Sequence, residues 1–188
     1  MLDLVTKNFS KVTLVYNGAN TFQFDFLNDY PQIQSVVWCP PAGQTGFSAL
    51  GDVLAGETNP SGKTSDTFLK DLTQSVSYNN FGKFEYTNME DKAAKYTGFT
   101  GDEVTAIPGF VNYSEGIYVG YRYYETRYED AVMGTPNVGC YDYAATVAYP
   151  FGYGLSYTSF DWTDFTATKA DANGNITLSV KVTNTCLL

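Results

Sequence analysis

The side chains available for acid–base chemistry in this chain are aspartate, glutamate, tyrosine and lysine, because its 188 residues include no histidine. Histidine is the usual general base near neutral pH and the commonest zinc ligand. Without histidine, the chain also cannot form a Ser-His or Cys-His pair, in which histidine acts as the base that activates the nucleophile. Any acid–base chemistry that this chain contributes must therefore come from the four remaining residue types.

Two carboxylates stand beside features that could form a site. Glu115 shares a segment with Arg122 and precedes what we interpret as a tyrosine-rich strand. Glu115 could contact a substrate, although an ion pair or a backbone cap is the favoured role. Asp66 follows a Pro-Ser-Gly turn, where a carboxylate more often serves as a turn or cap residue.

Trp38 and Gln44 are the other candidates for a substrate site. Sugars stack on aromatic faces, so Trp38 could line a sugar subsite, but a tryptophan beside Pro40 and Pro41 at a strand end is more often core. Gln44 and Thr45 lie just before a predicted helix, where side chains often cap backbone amides.

The three cysteines, Cys39, Cys140 and Cys186, form no Cys-x-x-Cys pair, which argues against a metal knuckle or a redox motif. An odd count fits free thiols, and it also fits one disulfide with one thiol left over. We predict no metal and no cofactor for this chain.

The charge balance narrows the classes of partner. Eleven basic residues against 20 acidic ones give a formal net charge of −9. Nucleic-acid binding draws on clustered lysine and arginine, so we expect no nucleic-acid partner. No apolar run approaches the length of a membrane span, and residues 1–10 lack the basic and apolar regions of a signal peptide. We therefore expect no membrane partner and assign no localisation.

The first 56 residues read as alternating strands and helices. Residues 12–16 and 33–38 are apolar, β-branched runs that predict strands, and Thr21–Asp29 indicates a brief helix. A helix is predicted over Phe47–Ala55, with Gly56 as the residue that ends it. This order is typical of a parallel α/β sheet, in which ligands gather at the carboxyl ends of the strands.

The middle of the chain changes character twice. Residues 57–112 show little periodicity and predict a long irregular excursion, either a packed surface loop or a rim around a binding site. Residues 113–160 hold 11 of the 16 tyrosines. We interpret most of these as a tyrosine-rich sheet edge, although such density also suits an interface with sugar or another domain.

The end of the chain alternates again. Trp162–Thr168 and Ile176–Thr183 flank an Asp-Ala-Asn-Gly-Asn turn, which predicts a β-hairpin. An isolated hairpin is marginal in water, so we interpret it as the opening of a β-sandwich and expect that the chain is truncated. Unpaired strand edges and uncovered helix faces predict self-association.

Four segments together resemble glycoside hydrolase family 3, the β-glucosidase family. They are the Trp38–Gly46 segment, Gly56–Lys63 (Gly-Glu-Thr-Asn-Pro-Ser-Gly-Lys), Glu115–Tyr124 (Glu-Gly-Ile-Tyr-Val-Gly-Tyr-Arg-Tyr-Tyr) and Tyr149–Thr158 (Tyr-Pro-Phe-Gly-Tyr-Gly-Leu-Ser-Tyr-Thr). Lys63 stands where arginine is usual and Tyr149 where phenylalanine is common. Residues 162–185 are similar to the start of the fibronectin type III-like domain that follows in many members.

The resemblance implies a layout. A full member has a (β/α)8 barrel, then an α/β sandwich domain, and often the fibronectin-like domain, with the active site between the first two. Residues 1–158 would be the later part of a three-layer α/β sandwich with a mostly parallel sheet. Residues 159–188 would be the first hairpin of the fibronectin-like domain.

The resemblance also implies which parts the chain lacks. By family analogy the catalytic aspartate lies on the barrel and the acid/base glutamate lies upstream of residue 12, so no residue here matches either role. We expect a parent that hydrolyses terminal β-linked glucose or a related sugar, and an inactive isolated chain that would need the barrel domain as its partner. The alternative is a non-catalytic carbohydrate-binding or protein-interaction module.

Overall fold

The computed structural model describes residues 1–82, 84–135 and 139–185 of the chain. In these residues the α-helices are α1 (Leu2–Asn8), α2 (Phe47–Ala55), α3 (Tyr121–Met133) and α4 (Tyr143–Thr146). The strands are β1 (Val12–Tyr16), β2 (Ile33–Trp38), β3 (Phe68–Leu69), β4 (Phe84–Glu85), β5 (Ala94–Thr97), β6 (Glu103–Ala106), β7 (Gly109–Phe110), β8 (Val147–Tyr149), β9 (Phe160–Ala167) and β10 (Leu178–Asn184). Short 3-10 helices lie at Asp25–Asp29, Leu72–Gln74 and Glu90–Lys92.

The chain divides into two compact units. Unit 1 contains Met1–Pro41 and Thr64–Gly152, and unit 2 contains Ala42–Lys63 and the chain from Tyr153 onward. The predicted domain boundary between residues 158 and 159 stays a prediction.

Strands β1 and β2 and helix α2 match the sequence prediction, whereas helix α1 was not predicted. Strands β1 and β2 pair in parallel, and the hydroxyls of Thr13 and Ser35 share a hydrogen bond of 2.8 Å across them. Helix α2 ends at Gly56, whose φ of 80° is left-handed. Glycine adopts this conformation without steric strain because it has no Cβ. The brief helix predicted over Thr21–Asp29 is present as a 3-10 helix over its second half.

The prediction of a mostly parallel sheet is wrong for the described part of the chain. Only β1 and β2 pair in parallel there, whereas β3–β8, β4–β7 and β5–β6 are antiparallel. The described strands form separate two-stranded sheets, so a three-layer sandwich is not confirmed. The physical reason is that residues 57–112, expected to be irregular, contain short strands that pair back on themselves or with β8.

The tyrosine-rich segment contains a helix where we predicted a sheet edge. Tyr121, Tyr124 and Tyr128 are spaced at i, i+3 and i+7, so they line one side of α3. Gly120 and Gly134 bound the helix with φ values of 62° and 64°, a backbone region that residues with side chains rarely adopt. Tyr124 is the residue of this helix that is fully buried, at 5% exposure.

The core of unit 1 forms around β3 and β8. Strand β3 pairs Phe68 with Tyr149 and Leu69 with Val147. Leu69, Val147 and Tyr124 form one buried apolar cluster, against which the partly buried Leu72, Tyr123 and Tyr143 pack. Helix α3 is therefore anchored to the central strand pair through Tyr124.

Unit 2 joins two of the recognised sequence segments. The side-chain amide of Asn59 donates to the hydroxyl of Ser156 at 2.8 Å, and its side-chain oxygen accepts from the backbone N–H of Tyr157 at 3.2 Å. The ammonium of Lys63 donates to the carbonyl of Gly154. In the same unit β9 and β10 form the predicted hairpin, with Val182 opposite Trp162.

Replacing Asn59 with alanine is expected to loosen this joint, because it removes both hydrogen bonds of the side chain. Each such bond contributes about 1 kcal/mol. We expect faster hydrogen exchange at the Tyr157 amide, measured by NMR. Asn88→Ala, an exposed site, is the control and should leave that amide unchanged.

Two further sequence predictions concern membranes and thiols. No helix among the described residues is long and apolar enough to cross a bilayer. Cys39 is half-buried and Cys140 is exposed, and both are free thiols, which is the first of the two alternatives left open by the sequence. Cys186 lies outside the described residues.

Candidate functional site

A groove lined mainly by polar side chains runs along one face of α3 in unit 1. Tyr123, Thr126, Arg127 and Asp130 line it at i, i+3, i+4 and i+7, the spacing that puts side chains on one side of a helix. Tyr118, which precedes the helix, forms the fifth wall. The groove encloses about 230 Å³, and we call it the α3 groove.

The arginine of the α3 groove rests on an aromatic ring. The guanidinium carbon of Arg127 lies 5.4 Å from the ring centroid of Tyr141, a cation–π distance. The Tyr141 hydroxyl is buried and has no hydrogen-bond partner among the described residues. Burial, with the charges of Tyr123, Tyr124 and Glu125, raises the pKa of Tyr141 to about 12, so its phenol is neutral under ordinary conditions.

A second tyrosine, Tyr143 of α4, also contacts side chains of α3. The Tyr143 hydroxyl donates to a carboxylate oxygen of Glu125 at 2.7 Å, and its ring lies 4.6 Å from that of Tyr128. Burial first, and then the hydrogen bond and charge of Glu125, raises the pKa of Tyr143 well above its ordinary value of 10.0. The hydrogen bond requires the neutral phenol, so it ties α4 to α3 only below that pKa.

We expect the chain to lose stability in alkali for this reason. Both phenols have folded pKa values above 10.0, so their contribution is fully present below pH 10 and is lost as the pH rises through the folded values, about 12 for Tyr141. Tyr143→Phe should flatten the alkaline fall in melting temperature. Tyr113→Phe, at an 81% exposed site, is the control and should not, and an identical curve for both variants would contradict this assignment.

Trp38, for which we favoured a core role over a sugar subsite, lies in an aromatic cluster. It is half-buried at the end of β2, its ring meets Phe68 edge-on at 5.0 Å, and its indole N–H donates to the carbonyl of Gly18 at 2.8 Å. These contacts support the core interpretation of Trp38.

The remaining candidates lie in turns. Gln44 is exposed just ahead of α2, whose N-cap is Gly46 without a side-chain cap, so neither Gln44 nor Thr45 caps that helix. Glu115 is half-buried in a turn, and its backbone carbonyl accepts from the N–H of Tyr118 at 3.0 Å.

Of the two roles favoured for Glu115, an ion pair and a backbone cap, an ion pair with Arg122 is not formed among the described residues. The Arg122 guanidinium lies 5.8 Å from the Tyr121 ring centroid. Asp66 accepts from the backbone N–H of Thr67 at 2.8 Å, which supports its interpretation as a turn residue. Trp38 and Glu115, two of the candidates for a substrate site, are not joined by a hydrogen bond in the described part of the chain.

The described carboxylates form no cluster suited to a metal ion. In residues 1–82, 84–135 and 139–185 no three Asp, Glu or Cys side chains are placed to hold a metal ion. Hydrogen bonds from Thr73 lower the pKa of Asp71, and hydrogen bonds from Asn175 lower that of Asp171. A general acid needs its pKa raised, so neither carboxylate is tuned to donate a proton.

Sequence reasoning missed the residues of the α3 groove. The signal was available, because Tyr123, Thr126, Arg127 and Asp130 recur at helical spacing. We did not recognise this spacing because we interpreted the tyrosine-rich segment as a strand. In a strand, Tyr123 and Arg127 would lie on one face, and Thr126 and Asp130 on the other.

Comparison with known proteins shows the family of the chain. The family model for the glycosyl hydrolase family 3 C-terminal domain matches residues 1–121. The chain belongs to this family.

Curated relatives of this family 3 domain carry glycosidase names. Beta-glucosidase A of Butyrivibrio fibrisolvens is 35% identical over 98% of this chain, and thermostable beta-glucosidase B of Acetivibrio thermocellus is 31% identical over 98%. An exo-alpha-(1->6)-L-arabinopyranosidase of Bifidobacterium longum is 34% identical over 76% of the chain. The chain spans 19% of the length of each of the two beta-glucosidases.

Solved structures show the same relationship. A beta-glucosidase from Paenibacillus barengoltzii superposes with a TM-score of 0.67 at 31% identity, covering 98% of this chain and 16% of that one. Beta-glucosidase 3B from Thermotoga neapolitana superposes with a TM-score of 0.62 at 28% identity, covering 98% of this chain and 21% of that one.

Proposed function

We propose that this chain supplies the C-terminal α/β domain of a β-glucosidase-type glycoside hydrolase, which removes terminal β-linked glucose or a related sugar. The observation that carries the proposal is the family match over residues 1–121, together with beta-glucosidase relatives that align along 98% of the chain. The arabinopyranosidase among the relatives is the reason to keep related sugars in the proposal. In the proposed layout residues 1–158 belong to the α/β domain and residues 159–188 open a fibronectin type III-like domain.

The isolated 188-residue polypeptide does not hydrolyse glycosides under this proposal. Retaining hydrolysis requires two carboxyl groups about 5–5.5 Å apart, one as nucleophile and one as acid and base. The placement of Glu115 and Asp66 in turns, each with a local backbone contact, supports a structural role for both. Trp38 and Gln44 remain candidates for substrate contact only in the context of the whole enzyme.

The chain also needs a partner surface. Large apolar side chains remain exposed on the strands of unit 2, such as Trp162 at 70% and Phe165 at 69%. The proposed partners are the barrel domain of the parent and, through unpaired strand edges, a second copy of the chain. Light scattering on the purified chain over a range of concentrations tests the second of these.

A domain exchange tests the proposed role. The matching region of Beta-glucosidase A from Butyrivibrio fibrisolvens is replaced with this chain, and hydrolysis of a chromogenic β-glucoside is measured. We expect hydrolysis by the chimera and none by a deletion of the same region. A chimera that folds, as judged by circular dichroism, but does not hydrolyse the β-glucoside would favour the alternative, a non-catalytic carbohydrate-binding or interaction module.

A further inference from the structure

We propose that the α3 groove binds a single neutral sugar ring. The groove is the concavity defined above by Tyr118, Tyr123, Thr126, Arg127 and Asp130. The inference goes beyond the proposed hydrolase role and does not depend on it, because it concerns binding by this chain alone.

The hydrogen-bonding groups of the groove match a polyol. The Arg127 guanidinium offers only donors and the Asp130 carboxylate only acceptors, whereas the Thr126 hydroxyl can do either. A sugar hydroxyl both donates and accepts, so adjacent hydroxyls on one ring can use both kinds of group at once. Hydrogen bonds to the two charged groups are the stronger ones.

The charges of the groove favour a neutral ligand. The positive charge of Arg127 and the negative charge of Asp130 lie on successive turns of α3, at i and i+3, and together sum to zero. A phosphate or a carboxylate entering beside Arg127 would meet the Asp130 carboxylate on a chain whose net charge is −9. An ammonium ligand would meet the guanidinium in the same way.

The size of the groove favours one ring. Its volume of about 230 Å³ is below the roughly 300–1,000 Å³ of clefts that hold drug-sized ligands. Two of its five lining residues are Tyr118 and Tyr123, and a tyrosine side chain combines an apolar ring with a polar hydroxyl. An apolar ring face and a polar rim are the two surfaces that a pyranose presents.

The groove is also held ready for a ligand. Four of its five residues project from one helix, which Tyr124 anchors in the core at 5% exposure. The Arg127 guanidinium rests over the Tyr141 ring, with its carbon 5.4 Å from the ring centroid. Side chains that are already positioned lose less entropy on binding, which is why a shallow groove can still bind a small ligand.

The test uses the full 188-residue chain and measures binding of D-glucose and methyl β-D-glucopyranoside by saturation-transfer NMR. For a ligand of this size we expect a dissociation constant on the order of 1 mM. Asp130→Asn should weaken binding by at least about tenfold, because it removes hydrogen bonds to a charged acceptor, and Thr126→Val should weaken it by about threefold or more. Glu129→Gln makes the same change of charge one position away, at an exposed site outside the groove, and should leave binding unchanged.

Melting temperatures and circular dichroism show that the three variants fold alike before their affinities are compared. The proposal is overturned if neither sugar binds the unsubstituted chain even in large excess. It is also overturned if Asp130→Asn and Thr126→Val bind as tightly as Glu129→Gln. Displacement of glucose by inorganic phosphate would assign the groove to anions, and equal displacement by glycerol would show general polyol adsorption; either result contradicts a site for a sugar ring.

Discussion

Replacing Phe68 with alanine is expected to lower the free energy of unfolding of unit 1 by about 3–5 kcal/mol, the usual cost of a buried phenylalanine. Phe68 is 2% exposed and lies in β3. Its ring stacks on Phe24 at 6.0 Å and meets Trp38 and Tyr149 edge-on at 5.0 and 6.3 Å. The truncation would leave all three neighbouring rings facing a cavity.

Urea denaturation followed by circular dichroism measures this effect. The matched control is Phe99→Ala, because the Phe99 side chain is fully exposed in the turn between β5 and β6. That control should stay within about 0.5 kcal/mol of the unsubstituted chain. Equal destabilisation by the two variants would contradict the assignment of the core to the aromatic cluster around β3.

The Phe68 cluster also shows why the core could not be predicted from the sequence. Strand β3 has two residues, and the Tyr149 that pairs with Phe68 lies far along the chain in β8. So short a run carries no periodicity, and its partner is selected by tertiary packing rather than by local sequence. The antiparallel pairing of β3 with β8 could therefore not be predicted from the sequence.

Elements with local signals were predicted well. Strand β2 occupies the residues predicted for it, since a β-branched run stopped by Pro40 and Pro41 is a strong signal. Helix α2 has its predicted bounds because an apolar face and Gly56 define them. The hairpin of β9 and β10 follows from alternation on both sides of an Asn-Gly turn.

The β5–β6 hairpin had a local signal that we did not use. Lys95 lies opposite Thr105 and Glu103 opposite Thr97, so the 2.7 Å ion pair of Lys95 with Glu103 runs diagonally across the strands. Gly98 and Gly101 form the turn between the strands. We expected this region to be irregular because the surrounding segment is rich in turn residues. The two glycines of a short turn between two strand-like runs are the feature that would have identified the hairpin.

The α3 groove could have been located only in part. Once α3 is recognised as a helix, the spacing of Tyr123, Thr126, Arg127 and Asp130 places them together. The contribution of Tyr118 and the support of Arg127 by Tyr141 depend on how loops fold back against the helix. No local pattern encodes those contacts.

By itself the 188-residue polypeptide is expected not to accelerate the hydrolysis of a β-glucoside. The loss of a cooperating catalytic group costs about a million-fold in rate in well-studied hydrolases, and under the proposed layout both carboxylates of the pair belong to other parts of the enzyme. The shifted carboxyl pKa values of Asp71 and Asp171 are lowered, which is the wrong direction for a general acid. Sugar binding in the α3 groove would not change this expectation.

The most direct measurement is therefore hydrolysis of a chromogenic β-glucoside by the purified chain alone, beside Beta-glucosidase A from Butyrivibrio fibrisolvens at equal concentration. We expect release of chromophore at the buffer rate for the chain and rapid release for the full-length enzyme. Release above the buffer rate that persists through repurification, and that is lost in Glu115→Gln or Asp66→Asn, would contradict the account and place a catalytic carboxylate in this domain.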